Sequence, residues 1–175
     1  HGTTNDLRLM HQRSSNEIWN YQQIELGFNY RMTDIEAALG LSQIKRLDEF
    51  VEIRHKISKK YDLELKSLPI TTPFQSTGNH SSYHLYPIRV NETISGATQK
   101  QVYDAFWRNA VAANLHYIPV HRQPYYENLG FKAGDFPESE KFYREVLSLP
   151  IYPKLSLHDQ EHVVQVLSME LAAAK

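Results

Sequence analysis

A single helical pattern, from Thr33 to about Leu65, constrains the fold more than any other part of the sequence. Thr33 and Glu36 form a T-x-x-E capping box, which marks the start of a helix. Apolar residues then recur at helical spacing: Ile35, Ala38, Leu39, Leu41, Ile44, Leu47, Phe50, Val51, Ile57 and Tyr61. A straight helix of this length would extend about 50 Å. Because that is long for a globular protein, the pattern predicts a kink or a break.

Asn29 and Arg31 lie on an extended run immediately before this helix. The N-terminus of a helix favours negative charge, so an amide and a guanidinium placed here indicate a phosphate contact. The alternative is that both side chains satisfy backbone carbonyls and a surface carboxylate. The residues alone leave both interpretations open.

The remaining segments predict a small sheet covered by helices. Strand-like apolar runs occur at 81–90, 115–118 and 149–152. Capping pairs predict three later helices: Thr98 with Gln101, Asp135 with Glu138, and Ser156 with Asp159. Residues 1–12 show no periodicity and predict a loop. We therefore expect an α/β or α+β fold, preceded by one long helix. The helix between the strands at 81–90 and 115–118 is compatible with a parallel pair, and the sequence does not give the strand order.

Composition excludes several classes of function. Nineteen basic and twenty acidic residues give a net charge of −1, which lacks the basic excess typical of proteins that bind nucleic acid or anionic membranes. Cysteine is absent, so disulfides and thiolate metal sites are excluded. No apolar run approaches the roughly 18 residues of a membrane span. We expect no nucleic-acid or membrane partner and a cytoplasmic location.

The histidines do not predict a metal site. Four of them invite that interpretation because they recur in two short stretches: His80, His84, His116 and His121. Their spacing matches neither the H-E-x-x-H pattern nor a paired Cys/His pattern. We therefore predict that no metal is bound.

A second candidate site is the polar, aromatic segment at the end of the strand that is predicted within 111–120 and centred on 115–118. Its side chains are His116, Tyr117, His121, Gln123, Tyr125 and Tyr126. His and Gln can hydrogen-bond hydroxyls and phosphates, and a Tyr ring can pack on a sugar or a base. The irregular connection 121–136 is long enough to favour a functional role. The segment is either a contact loop for a sugar nucleotide or a tyrosine-rich surface loop, and the residues leave both open.

Five segments occur in a distinctive order: GFNYRMTDIEAALGLSQIKRLDEF, SSYHLYPIRV, NLHYIPVHRQPYY, GDFPESE and LSLPIYPKLSLHDQEHV. Together they resemble the sugar aminotransferases of the DegT/DnrJ/EryC1/StrS family, which are pyridoxal-phosphate (PLP) enzymes of fold type I. The HYIPVHRQPYY run is most similar to the branch that makes the 4-amino sugar of the pseudaminic acid pathway. The resemblance covers most of the chain.

The resemblance implies roles for both candidate sites. Asn29 and Arg31 would reach the PLP phosphate, typically in the neighbouring subunit's site, which implies a homodimer. Part of the wall that holds a UDP-sugar would come from four side chains: Tyr117, His121, Gln123 and Tyr125. The parent reaction would transfer an amino group, with glutamate as the donor, to a nucleotide-linked 4-keto-6-deoxy sugar.

The resemblance also implies a domain organisation. It divides the chain into a remnant of the large cofactor domain (1–32), a long linking helix (33–68) and the small C-terminal α/β domain (69–175). Without the rest of the cofactor domain, three apolar side chains near the start would be left exposed: Trp19, Tyr21 and Ile24. We therefore expect self-association or disorder at this end.

The sequence departs from the family pattern in one respect. The family's cofactor-binding lysine, and the acidic residue that pairs with the pyridine nitrogen, lie upstream of the part that this chain resembles. We find no counterpart of either. We therefore expect a C-terminal piece of an aminotransferase that lacks transaminase activity by itself. The alternative, from a different class, is a non-catalytic assembly or dimerisation domain.

Overall fold

The structure, a computed structural model, describes residues 2–11 and 21–174. The chain divides into two compact units, His1–Arg46 and Leu47–Lys175, and each is described by itself. Trp19 lies outside the described residues. The elements in chain order are β1 (Thr3–Thr4), β2 (Gln22–Gln23), α1 (Asp34–Ile44), α2 (Leu47–Glu64), β3 (Tyr86–Arg89), α3 (Glu92–Ser95), α4 (Gln99–Arg108), a 3-10 turn (Val120–Arg122), α5 (Pro124–Glu127), α6 (Pro137–Glu145), β4 (Val146–Leu149) and α7 (Leu157–Ala173).

The first unit contains a short antiparallel strand pair and one helix. β1 pairs with β2, with Thr3 opposite Gln23. α1 begins with the predicted capping box, in which the Glu36 N–H donates to Thr33 Oγ1 over 3.3 Å and the Thr33 N–H donates to the Glu36 carboxylate over 2.8 Å. The loop expected over residues 1–12 is only partly correct, because β1 lies within it.

The apolar side chains of the first unit are largely unpacked. All of α1 is described, and none of its residues is buried. Ile35 on this helix is 83% exposed, and Leu26 upstream of it is 99% exposed. Tyr21 and Ile24 are also exposed, as predicted. Soluble monomers rarely leave this much apolar surface in water.

The long helical pattern is interrupted, as predicted. α1 ends at Ile44 and α2 begins at Leu47. Between them, the Arg46 N–H donates to the carbonyl of Gln43, three residues back, over 3.0 Å. An α-helix continues only when each N–H bonds four residues back, so this tighter turn ends α1.

The second unit is built on a two-stranded antiparallel sheet, with Tyr86 opposite Leu149 and Arg89 opposite Val146. Helices cover it: α4 packs on α7 and contacts β4, α2 packs on α7, and α6 contacts β3. The predicted fold class, a small sheet covered by helices, is therefore confirmed. The buried core includes Ile57, Tyr61, Leu65, Tyr86, Ile88, Val102, Phe106, Leu147, Leu149, Val163, Leu167 and Leu171.

Two buried tyrosines tie α2 to the sheet and to the segment after it. The Tyr61 hydroxyl donates to the carbonyl of Pro150 over 2.9 Å, and the Tyr86 hydroxyl donates to the Asp62 carboxylate over 2.6 Å. Burial raises the pKa of both phenols well above the ordinary value. For Tyr86 the hydrogen bond to Asp62 raises the pKa further. Each buried hydroxyl thus has the partner that burial requires.

The strand predicted at 115–118 is wrong. Asn114 makes an isolated antiparallel bridge with Ser148, and the pairing stops there. Asn114 and Ser148 exchange both backbone hydrogen bonds, so the next residue of this segment to face β4 is His116. His116 contacts β4 through its side chain, with Nδ1 2.8 Å from the Ser148 hydroxyl, and the backbone pairing ends after one residue pair.

The other two predicted strands exist but are displaced or shorter. The strand placed at 149–152 lies earlier, at β4, because Pro150 has no N–H with which to continue the ladder. The strand placed at 81–90 is confined to β3. These two strands pair with each other antiparallel.

Two of the three later caps are confirmed. The side chains of Thr98 and Ser156 each accept a hydrogen bond from the backbone three residues on. Asp135 does not cap α6. Its carboxylate instead accepts from the Lys132 N–H over 2.9 Å and so closes the turn before the helix. α6 begins at Pro137, where a missing N–H costs nothing.

We predict that Leu167→Ala lowers the free energy of unfolding by about 2–5 kcal/mol, because it leaves a cavity at a fully buried position. Met169 lies on the same helix and is 64% exposed, so Met169→Ala is the matched control. We expect that control to change the value by less than about 0.5 kcal/mol. Urea unfolding followed by circular dichroism measures both. Equal losses would contradict the packing of α7 described here.

Candidate functional site

The Arg31 side chain lines a cavity of about 570 Å³ in the first unit. The other lining residues belong to β1 or lie beside the β1–β2 pair: Thr3, Thr4, Asn5 and Tyr21. Pairing of the two strands thus places two hydroxyls and an amide on the same cavity as a guanidinium. Its described lining residues combine one full positive charge with neutral hydrogen-bonding groups.

The Arg31 guanidinium makes no hydrogen bond or ion pair with any residue in the described ranges. Asp6, the acid that follows the lining residues in the chain, is already bound by Arg8, with 2.6 Å between Nη2 and Oδ2. That hydrogen bond holds the pKa of Asp6 below its ordinary value. A guanidinium with free N–H groups beside hydroxyls is suited to a phosphate or a carboxylate.

Asn29 is exposed and is not among the residues that line this cavity. The structure therefore brings one of the two predicted phosphate contacts to the cavity, and a role for Asn29 stays a prediction. Sequence reasoning missed Thr3, Thr4 and Asn5. Their run of hydroxyl and amide groups was a usable signal, but it lay in a segment predicted to be a loop.

In the second unit, the polar, aromatic segment forms the 3-10 turn Val120–Arg122 followed by α5. His121, in this turn, is 7% exposed. Its Nε2 lies 2.9 Å from Glu140 Oε1, and the Gly134 N–H donates to the same oxygen over 2.7 Å. The bond with His121, and then the bond from Gly134, hold the pKa of Glu140 below its ordinary value.

A cavity of about 340 Å³ lies against this histidine, and we call it the aromatic cavity. It is lined by Val120, His121, Tyr126, Phe131, Phe136 and Ser139. The Phe136 ring centroid lies 4.9 Å from that of His121 and 6.1 Å from that of Phe131. Aromatic walls around a few polar groups suit a ligand that has a flat or ring-shaped apolar face.

A second cavity, of about 310 Å³, carries two arginines. It is lined by Ile118, Pro119, Arg122, Glu140, Tyr143 and Arg144. Arg122 is paired with Glu127 over 2.9 Å, and Arg144 Nη1 lies 3.8 Å from Glu140 Oε2. Both guanidinium groups have acidic neighbours, so this cavity is a weaker candidate for a phosphate than the one at Arg31.

The predicted substrate contacts occupy different environments. His121 lines the aromatic cavity, while Tyr117 and Tyr125 are 70% and 71% exposed. Gln123 is half-buried at the start of α5. Tyr117, Gln123 and Tyr125 line neither the aromatic cavity nor the cavity that carries Arg122 and Arg144. Sequence reasoning missed Glu140, for which the GDFPESE segment was the only signal.

Two negative findings apply to residues 2–11 and 21–174. No group of three or more His, Asp or Glu side chains there could hold a metal ion. His55 and His80 do stack, with ring centroids 4.4 Å apart, but they form a pair only. In the same part of the chain, no helix is both long enough and apolar enough to cross a membrane.

Comparison with known proteins identifies the family. The family model described as the DegT/DnrJ/EryC1/StrS aminotransferase family matches residues 3–168. The spore coat polysaccharide biosynthesis protein SpsC of Bacillus subtilis (strain 168) is 36% identical over 157 residues, which cover 88% of this chain and 40% of SpsC. A UDP-4-amino-4,6-dideoxy-N-acetyl-beta-L-altrosamine transaminase of Campylobacter jejuni subsp. jejuni serotype O:2 is 29% identical over 161 residues, covering 90% of this chain and 42% of that enzyme.

Solved structures show the same fold. The PMP form of the putative sugar aminotransferase Spr1654 from Streptococcus pneumoniae superposes with a TM-score of 0.84 at 27% identity, covering 100% of this chain and 43% of that one. Helicobacter pylori PseC, an aminotransferase involved in the biosynthesis of pseudoaminic acid, has a TM-score of 0.80 at 24% identity, with 95% and 44% covered, and supports the fold alone. The chain thus spans less than half the length of these relatives. Because the family match extends over most of its residues, the chain belongs to the DegT/DnrJ/EryC1/StrS aminotransferase family.

Proposed function

We propose that these residues form the C-terminal part of a PLP-dependent aminotransferase that acts on a nucleotide-linked 4-keto-6-deoxy sugar. The family match supports the reaction class, and the name of the Campylobacter relative supports a UDP-linked sugar. Spr1654 has been solved in PLP and PMP forms, which supports the cofactor. Glutamate as the donor, the pseudaminic acid branch and a cytoplasmic location remain predictions from the sequence.

The observation that carries this proposal is the Arg31 guanidinium, which has no partner among the described residues and shares a cavity with the hydroxyls of Thr3 and Thr4. These groups fit the phosphate of PLP, because a guanidinium can bind two phosphate oxygens at once. When bound, PLP supplies the electron sink for amino transfer. Arg31 and its neighbours would hold and orient the cofactor in the site of a neighbouring subunit, and Asn29 would complete the same phosphate contact.

The cofactor-binding lysine is proposed to come from elsewhere. Among the described residues that line the Arg31 cavity, none is a lysine. A cavity with phosphate ligands but no amine can hold one end of PLP without forming a covalent link to it. We therefore propose that this chain by itself is inactive and that the lysine lies in a part of the enzyme outside these residues.

The segment around His121 is proposed to form part of the sugar-nucleotide wall. His121 offers a ring nitrogen beside the aromatic cavity, and Gln123 offers an amide. The exposed rings of Tyr117 and Tyr125 are available to pack on a sugar or a base. All four belong to the stretch with which the resemblance to the pseudaminic acid branch is associated.

We also propose a homodimer. The unpacked apolar side chains of α1, with Ile35 the clearest example, support it because such surface is rarely left in water. The same observation favours a second candidate function, that of a non-catalytic assembly domain. Binding of phosphate and of a nucleotide sugar separates the two, since a pure assembly domain requires neither.

We predict that Arg31→Ala weakens binding of inorganic phosphate and of PLP by about tenfold or more, because it removes the charged partner. Isothermal titration calorimetry on the whole chain measures both affinities. Arg108→Ala is the control, since Arg108 is also an exposed arginine but belongs to the second unit. Unchanged affinity in Arg31→Ala would count against the phosphate site.

We predict that PLP forms no stoichiometric covalent adduct with a single lysine of this chain. The measurement is a PLP titration followed by absorbance and by borohydride, which fixes PLP to any lysine that holds it, and then mass spectrometry. Scattered, substoichiometric labelling is expected of exposed lysines. A single fully labelled lysine would overturn the proposal that the cofactor lysine lies elsewhere.

We predict that Tyr125→Ala weakens binding of a UDP-linked amino sugar by about three- to tenfold, because an exposed ring that packs on the ligand is lost. Leu129→Ala is the matched control, since Leu129 is also exposed, apolar and four residues further along. Titration calorimetry with the UDP-amino sugar in the name of the Campylobacter relative measures both. Equal affinities for the two variants would remove Tyr125 from the proposed wall.

A further inference from the structure

His121 and Glu140 form a buried, hydrogen-bonded pair that neighbouring groups hold in place. The two side chains are 7% and 14% exposed, and Nε2 lies 2.9 Å from Oε1. The Gly134 N–H donates to the same oxygen, so the backbone before α6 holds the carboxylate. The Phe136 ring packs against the imidazole, with 4.9 Å between centroids. Both partners are thus held by neighbours as well as by each other.

The carboxylate determines which ring nitrogen of His121 carries a hydrogen. An ionised carboxylate can only accept hydrogen bonds. The bonds from His121 and Gly134 lower the pKa of Glu140, so its carboxylate is ionised at neutral pH. Nε2 must therefore carry the hydrogen, and in the neutral imidazole Nδ1 keeps its lone pair.

The second ring nitrogen is free to meet a ligand. No residue in the described ranges forms a hydrogen bond with His121 Nδ1. The same side chain lines the aromatic cavity of about 340 Å³. His121 thus combines a ring nitrogen that has no partner in the described ranges with a place in the wall of this largely apolar cavity.

The charges around the pair favour the ionised carboxylate. Arg144 Nη1 lies 3.8 Å from Glu140 Oε2, the oxygen that His121 does not use. Arg122, next to His121 in the chain, is bound to Glu127, and its charge also lowers the pKa of Glu140. His121 and Gly134 thus both bond Glu140 Oε1, while the Arg144 guanidinium lies near Oε2.

We propose that Glu140 is a positioning residue, which fixes His121 as the Nε2–H tautomer so that Nδ1 accepts a hydrogen bond from a hydroxyl of the nucleotide-linked sugar. This inference deepens the proposed function and rests on it for the identity of the ligand. A lone pair on Nδ1 attracts a hydroxyl but repels a keto or ether oxygen, which has no hydrogen to donate. The pair therefore selects for a hydroxyl at this position of the sugar.

The first test is the tautomer itself, measured by long-range ¹H–¹⁵N correlation spectra of the imidazole above the pH at which it is charged. The chain has nine histidines, so a His121→Asn sample assigns the signals. We expect Nε2–H in the unmodified chain. Glu140→Ala should produce a mixture of tautomers, and Glu140→Gln should recover most of the Nε2–H form because its amide oxygen can still accept. Glu138→Ala, an exposed position on the same helix, should leave the spectrum unchanged.

The second test is binding of UDP-4-amino-4,6-dideoxy-N-acetyl-β-L-altrosamine, the sugar nucleotide in the name of the Campylobacter relative. We expect Glu140→Ala to weaken it about tenfold, Glu140→Gln less, and Glu138→Ala not at all. If Glu140→Ala does not fold, Glu140→Gln decides, with a smaller change expected in the same direction.

The outcomes distinguish this inference from the function on which it rests. An Nδ1–H tautomer in the unmodified chain, or an unchanged tautomer in Glu140→Ala, overturns the positioning role whatever the ligand. Normal binding in a folded Glu140→Ala variant overturns it as well. An Nε2–H tautomer with no binding of the sugar nucleotide to the unmodified chain supports the positioning of His121 and overturns the proposed substrate wall, and with it the ligand named here.

Discussion

A two-stranded sheet is not stable in water unless something covers it, and this constraint organises the second unit. Ile88 on β3 and Leu147 on β4 are fully buried, so the helices around the sheet are essential to it. Both outer edges are also engaged, by the bridges from Thr71 to Arg89 and from Asn114 to Ser148. The segments that carry these bridges are held by the sheet although they are not strands themselves.

The candidate substrate segment takes its position from β4. Ser148 pairs with the backbone of Asn114, and its hydroxyl lies 2.8 Å from His116 Nδ1. α6, which carries Glu140 to His121, runs directly into the same strand. The segment is therefore anchored before the 3-10 turn, at Asn114 and His116, and within the turn, at His121. Sites supported on regular elements in this way hold their geometry better than sites on free loops.

Local signals in the sequence predicted local structure well. The caps at Thr33, Thr98 and Ser156 and the interruption of the long helix are all present, because each depends on residues within one turn. The prediction failed at 115–118 because backbone pairing with β4 stops at the bridge between Asn114 and Ser148, and periodicity along the chain does not register pairing with a distant strand. The contact between His121 and Glu140 joins residues 19 positions apart, and only the fold brings them together. The exposure of α1 also depends on contacts that its own sequence does not specify. Its apolar pattern predicts a buried face but does not identify the residues that would cover that face.

The two buried tyrosines have a consequence at the alkaline end of the pH range. Both phenols have a pKa raised above the ordinary value of 10.0 in the folded chain, chiefly by burial. Below that pH the folded and unfolded chains both keep these two protons, whereas above it the unfolded chain releases them and the folded chain does not. Rising pH therefore draws the equilibrium toward the unfolded chain. Tyr61 and Tyr86 hold α2 to the rest of the core at neutral pH. Through the same two residues, alkaline pH lowers the stability of the second unit.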